Sequence, residues 1–490
     1  ETPWLRDAQS DAEKKKRLGL LFDLEKLASQ EKSILKKLNQ MQLSSGGFPW
    51  FSGGRGNEYI TRYIVAGFGH LQQLGVANHS NKKNEILEKA ITFLDAKFTE
   101  NHNRKLKHQS LENITVSNYD LHYLYARSFF KNTVPFDKLV KPIVNTYINK
   151  AKKDWLNRSL LQKTMLSIVL HRFNDRKLPL LILEHLKETS ITSEEKGMYW
   201  KSNTSGWYWH EAPIETQALV IEAFSEITDD KHTIEELQIW LLNNKRKQDW
   251  NTTKATTEAT YALLLQGNDW LSVEGSAKIK IGNEKISTKK LEQTKLEAGS
   301  GYFKTSWITS DITPKMADIS IKNTSEVTQF GGYYWQYFEQ LDKITNEEHT
   351  NDIKLHKELF VKKNTDDGPT LTKIENTKLQ VGDIVTVRIE LQVKDNFEFV
   401  HLKDMRASAF EPVDVISKYK WQDGTGYYQS TKDVATHFFF DRLNKGTYVL
   451  EYDVRVNNAG DFSNGISTIQ SMYAPEFSSH SKGVRVRVKK

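Results

Sequence analysis

The spacing of apolar residues along this chain of 490 residues changes near residue 271, from a helical period to a strand period. Between Asp11 and about Leu271 the helical period prevails. Leu87, Ala90, Ile91, Leu94 and Phe98 form a stripe at helical spacing, and Leu121, Leu124, Tyr125 and Ser128 begin another. The stretch from Leu160 to Phe173 is more apolar than a surface helix, which predicts an inner position with little contact to water. The pattern predicts about ten to twelve helices in this part of the chain.

Three segments of the helical region repeat one motif, an aromatic box with glycine or asparagine running straight into an amphipathic helix. They are Gly46 to Leu71, Met198 to Ile227 and Asp249 to Leu265. Each places tryptophan in a turn and opens a helix on Asn, Glu or Thr. An inexact helical repeat of this kind predicts a ring or solenoid of helix pairs, here an α/α toroid. Concentric helix pairs gather their connecting loops at one end, where bulky rigid side chains can close the ring over its apolar centre. Trp50, Phe51, Trp207, Trp209 and Trp250 suit that place, with Glu58 and Glu215 beside them. The same cluster would also line a groove for a sugar or another ring-shaped ligand. Gly67 and Gly69 are expected to admit a neighbouring helix at close range.

Beyond Leu271 the period is two. Lys278 to Ile281 and Ile319 to Ile321 alternate as strands, and Gly282-Asn283 marks a hairpin. Alternation strengthens after Thr350, with Val385, Val387, Ile389, Leu391 and Val393 in one run and Tyr448, Leu450, Tyr452, Val454 and Val456 in another. Val484 to Val488 reads as an edge-like last strand whose arginines keep one face wet. The polar run Thr345 to Asp352 interrupts the apolar pattern. The predicted fold is therefore multidomain, α then β: a toroid over residues 1–271, followed by two antiparallel β-sandwich domains over 272–350 and 351–490.

Composition narrows the chemistry. The 69 basic and 62 acidic residues leave a net charge of +7, but the signs are interspersed, so a nucleic-acid partner is not expected. No apolar window is long enough to predict a membrane-spanning helix. The chain has no cysteine, which removes disulfides, thiolate metal sites, cysteine nucleophiles and any thioester built on a cysteine side chain. Beginning at Glu1 without a methionine or leader, it reads as part of something longer, with targeting information upstream.

Glycoside hydrolysis requires two carboxylates roughly 5 to 9.5 Å apart, and Glu58, Glu211, Glu215 and Glu258 lie in or just after the aromatic boxes. Acids there also stabilise helix N-termini through the helix dipole. His70, His122, His171 and His210 lack metal-ligand spacing, and no phosphate-cradling loop or nucleophile elbow is present. No catalytic residue, metal or cofactor is predicted.

The first box (GGFPWFSGGRGNEYITRYIVAGFGHLQQLG), the third (WNTTKATTEATYALLL), the segment Tyr333 to Ile344 and the tail Phe438 to Pro475, with FFFDRLNKGTYVLEYDVRVNNAGDF followed by MYAPEF, occur in one order over most of the chain. In these residues it resembles the C-terminal portion of a bacterial alpha-2-macroglobulin. The resemblance implies a thioester-domain-like toroid, part of a CUB-like β domain and a terminal macroglobulin-type sandwich. It also implies a broad-range endopeptidase inhibitor that traps target proteases, periplasmic or in the cell envelope, attached to a membrane only through an upstream lipid anchor of the parent protein. The family's Cys-x-x-Gln thioester and its bait region precede the first box, so neither is assigned to any residue here. Two other readings stay open: a carbohydrate-active enzyme with accessory sandwiches, and a structural module of the cell envelope.

Overall fold

A computed structural model describes residues 24–76, 81–193, 196–206, 211–247, 250, 252–265, 277–286, 304–323, 331–345, 347–348 and 352–490. The chain divides into two compact units, one made of Glu1–Leu241 with Thr252–Gln329, the other of Leu242–Asn251 with Phe330–Lys490.

The first unit holds ten helices among the described residues: α1 (Leu24–Met41), α2 (Glu58–Gln73), α3 (Asn81–Leu106), α4 (Asn118–Ser128), α5 (Val140–Lys153), α6 (Leu160–Arg172), α7 (Leu178–Glu188), α8 (Pro213–Ile227), α9 (Lys231–Lys247, its end counted with the second unit) and α10 (Thr253–Leu264). Their starts follow from local chemistry. Asn57 caps α2 by accepting the Ile60 amide at 3.1 Å, Ser117 and Ser159 form capping boxes with Asp120 and Gln162, and Thr252 accepts the Ala255 amide at 3.0 Å.

Alternate helices pack on one another in sequence, α2 on α4, α4 on α6, α6 on α8 and α8 on α10. The circle closes where the rings of Tyr261 on α10 and His70 on α2 stack at 3.8 Å. The intervening α3 and α7 lie against these inner helices. Burial follows position. Every residue from Asp120 to Ser128 on α4, and from Thr164 to Leu170 on α6, is buried, as expected of the apolar Leu160–Phe173 stretch. Gly69 admits its neighbour because a Cβ there would fall 2.3 Å from the Phe129 ring; Gly67 faces open space, so its expected role is absent. A short hairpin, β1 (Ile191–Ser193) with β2 (Gly197–Tyr199), interrupts the helices. It is too short for a period of two to register in the sequence.

In the rest of this unit β3 (Lys278–Ile281), β4 (Glu284–Ile286) and β5 (Ile319–Lys322) form an antiparallel sheet in the order β4-β3-β5, and Gly282 takes φ of +57° at the expected hairpin.

The second unit is built on two antiparallel sheets. Its strands are β6 (Glu347–Glu348), β7 (Ile353–Thr365), β8 (Gly368–Lys373), β9 (Leu379–Gln380), β10 (Ile384–Val393), β11 (Phe397–Met405), β12 (Phe410–Pro412) and β13 (Lys418–Gln422). There follow β14 (Thr425–Thr431), β15 (Ala435–Leu443), β16 (Gly446–Val456), β17 (Gly460–Ser463), β18 (Ser467–Ser471), β19 (Ser478–His480) and β20 (Arg485–Lys489). One sheet has the order β12-β16-β10-β7-β8, the other β13-β14-β15-β11-β18-β19-β6. The alternation on β10 and β16 sends Val385, Val387, Ile389, Leu391, Leu450 and Val454 into a shared core with Leu402, Phe438 and Phe440.

The last strand corrects one expectation. β20 is the central strand of a small sheet, antiparallel to β17 and parallel to β9, and no edge. Val486 and Val488 are buried while its arginines face water, so the alternation fits a half-exposed central strand as well as an edge.

Candidate functional site

The aromatic boxes open out at the surface. In the first box Phe48 is buried, with its amide donating to Thr61 Oγ1 at 2.9 Å, whereas Trp50 is 54% and Phe51 74% exposed. Both exposed rings lie at the surface, and Phe48 is the buried ring of this turn, in contrast to the expected place of Trp50. Gly46, at φ of +86°, allows the tight turn, since a Cβ there would meet the Lys89 carbonyl.

Trp50 stacks on Tyr59 at 6.0 Å and meets Phe51 edge to face at 6.4 Å. Lys254 at the start of α10 lies 5.9 Å over Tyr59 and 3.8 Å from Glu215 on α8. Trp50, Phe51 and Glu215 are thus linked through Tyr59 and Lys254. Glu58 points elsewhere, pairing with Arg62 at 3.4 Å and accepting from Asn101 at 3.0 Å. Glu58 and Glu215 each sit in the first turn of a helix, where the dipole favours a negative charge. Trp250 lies under Lys245 at 5.6 Å and belongs to the second unit. Trp207, Trp209 and His210 lie outside the described residues.

The more concentrated chemistry lies at the middle of the helical circle, and every inner helix contributes to it. On α4, Tyr125 donates its hydroxyl to Glu222 Oε2 of α8 at 2.5 Å, and His70 Nε2 of α2 approaches the same hydroxyl at 2.8 Å. Because that proton is given to Glu222, His70 must donate from Nε2, leaving Nδ1 as an acceptor. Nδ1 faces Glu258 of α10 at 3.8 Å. From α6, Arg172 Nη2 donates to Glu222 at 2.7 Å and to Glu226 at 2.6 Å, and Nη1 to Ser128 at 3.1 Å. Its guanidinium lies 3.7 Å over the Phe129 ring.

Burial sets the protonation states. His70 is pulled down to about 3, first by loss of water and then by the Arg172 charge, so it is neutral at pH 7. Glu258 is pushed up to about 7 by burial and by the Glu222 charge, with Lys254 opposing. Burial also raises Glu222, against the pull of Arg172. For Arg172 burial works downward but is outweighed by Glu222 and Glu226, and the net shift is upward. These groups satisfy one another and leave no pair of acids free across a cleft. Among the described residues no group of three His, Cys, Asp or Glu side chains is arranged to hold a metal ion. The arrangement is a clasp that closes the circle.

Sequence reasoning named His70 and Glu258 singly and missed Tyr125, Arg172, Glu222 and Tyr261. The available signal was a charged residue inside an apolar run, as with Glu222 within LVIEAF.

With the two units described, the class of the second can be given. Residues 353–476, which span most of both large sheets, match the family described as the bacterial alpha-2-macroglobulin MG10 domain. That match lies within the second unit, and the chain as a whole has the order its sequence leads one to expect, helices first and antiparallel sheets after.

Among solved structures, Escherichia coli alpha-2-macroglobulin activated by porcine elastase is similar over 93% of this chain and 38% of its own, with 13% identity and a TM-score of 0.41. Trypsin-activated alpha-2-macroglobulin from Escherichia coli is similar over 93% of this chain and 29% of its own, with 12% identity and a TM-score of 0.44. Among curated proteins, circularly permutated Ras protein 2 of Dictyostelium discoideum is 23% identical over 143 residues, 29% of this chain and 4% of that protein. The chain thus spans well under two thirds of each of these relatives.

Proposed function

We propose that this chain is the C-terminal, non-catalytic portion of a bacterial alpha-2-macroglobulin-like endopeptidase inhibitor, a protease trap whose thioester and bait region lie outside these residues. The observation that carries the reading is the MG10 match over residues 353–476. Target proteases are its partners, and the periplasm or cell envelope, with an upstream lipid anchor on the parent protein, is its place. The helical circle serves as a rigid body within that trap, since its centre is locked by ion pairs and hydrogen bonds with no free nucleophile. Against the carbohydrate-active reading, Glu58 and Glu215 are engaged by Arg62 and Lys254.

The test uses the whole protein that contains this chain. After incubation with a protease, hydrolysis of small peptide substrates should persist while digestion of large proteins is lost. Equal activity on both substrate sizes would overturn the trap. Depolymerisation of an acidic polysaccharide, abolished by Glu58→Gln or Glu215→Gln, would replace it with the enzyme reading.

A further inference from the structure

A charged pair in the core of the terminal sandwich has no part in the reading above. On β7 the inward positions are Ile353, Leu355, Lys357, Leu359 and Val361, and on β11 they include Val400, Leu402 and Asp404. Each series is apolar but for one member. Those two members face each other across the sandwich, from opposite sheets, with side-chain exposures of 1% for Lys357 and 0% for Asp404.

Lys357 Nζ lies 2.5 Å from Asp404 Oδ1 and donates also to the Met405 carbonyl at 2.8 Å. Ser467 Oγ donates to Asp404 Oδ1 at 2.6 Å, and Tyr452 Oη donates to Oδ2. An ammonium and a carboxylate kept dry at such range carry a large desolvation cost, which a neutral product would remove. One neutral product can be made from these atoms alone.

We propose that Lys357 and Asp404 become joined by an isopeptide bond, a covalent tie between the two sheets in a chain that has no cysteine to make a disulfide. The ammonium first passes one proton to Oδ1 across the short contact, giving an amine and a carboxylic acid. The nitrogen lone pair then attacks Cγ, whose electrophilic character is raised by the Tyr452 hydroxyl on Oδ2. A second proton moves from nitrogen to Oδ1, with Ser467 hydrogen-bonded to that oxygen, and Oδ1 departs as water. The amide keeps one hydrogen on nitrogen and Oδ2 as its carbonyl oxygen. No oxidant or co-reactant is needed, and both remaining polar atoms already have partners, the N–H in the Met405 carbonyl and the oxygen in the Tyr452 hydroxyl.

Mass spectrometry of the denatured 490-residue chain tests the bond directly. The expected mass is lower than that of the sequence by one water. Tryptic digestion should yield a branched peptide joining Leu355–Lys362 to Asp404–Arg406, because trypsin cannot cut after an acylated Lys357. Lys357→Arg keeps a positive charge but lacks the amine, and should restore the full mass. The full mass in the unaltered chain, with a linear Leu355–Lys357 peptide, would overturn the proposal. So would a loss of water that persists in Lys357→Arg.

Discussion

The helical circle and the terminal sandwich both bury charge, but they place it differently. In the circle five helices meet around Arg172, Glu222, Glu258, His70 and Tyr125, and the polar groups form the closure itself. In the sandwich two sheets meet over a continuous apolar core, and the most deeply buried charges are a pair, Lys357 and Asp404, set into the inward rows of β7 and β11. A sheet repeats an inward position every second residue, so its core is specified strand by strand. A circle of helices brings together residues about fifty apart or more in sequence, and its centre needs directional contacts to fix which helices adjoin. The circle should therefore be the more sensitive to loss of a single charge.

The largest expected effect breaks that closure. Arg172→Met removes the cation shared by Glu222 and Glu226 and leaves buried Glu222 without it. The expected cost is about 3–5 kcal/mol in the first unit. Hydrogen exchange read by mass spectrometry should show faster exchange in α4, α6 and α8 and unchanged protection in β10 and β16; equal loss in both units would erase the contrast. Next is Phe48→Ala, expected to cost about 3–4 kcal/mol because the ring is fully buried.

The pH dependence sharpens the comparison further. Glu258 has its pKa raised in the folded state, so its contribution is present below its ordinary 4.5 and is lost as pH rises through about 7. His70 has its pKa lowered, so its contribution is present above 6.5 and is lost as pH falls toward about 3. Between 4.5 and 6.5 the two contributions oppose each other. Glu258→Gln removes one of them. Denaturant unfolding of that variant should then show the helical unit gaining roughly 2 kcal/mol between pH 5 and pH 6.5. A profile no steeper than that of the unaltered chain would place the titration elsewhere.

The smallest effect is at the exposed box. Trp50→Ala should change stability by less than about 1 kcal/mol, the value of a surface aromatic stack on Tyr59. A loss as large as that for Phe48 would return Trp50 to the plugging role.

Much of the fold was legible. The stripe Leu87 to Phe98, the Leu160–Phe173 stretch, more apolar than a surface helix, and the rows on β10 and β16 all lie where periodicity puts them. So do Asn57 and Thr252 as helix caps. Periods of 3.6 and 2 are local properties, readable from a window of a dozen residues. The site was less legible. Trp50 and Phe48 are two residues apart in the same turn, and composition does not tell which ring is buried. The aromatic boxes stand out because they repeat, while Glu222 is a single acid in an apolar run and Arg172 lies at the end of one.

The sequence by itself determined that helices come first and strands after, which faces of them are apolar, and that no chemistry here runs through a thiol. Tertiary structure alone decided that His70 meets Tyr261, that Arg172 meets Glu222 and that Lys357 meets Asp404. The reason is physical: a side chain's preference for burial is its own, but its partner is chosen by the path of the backbone, and these partners lie from about fifty to nearly two hundred residues apart.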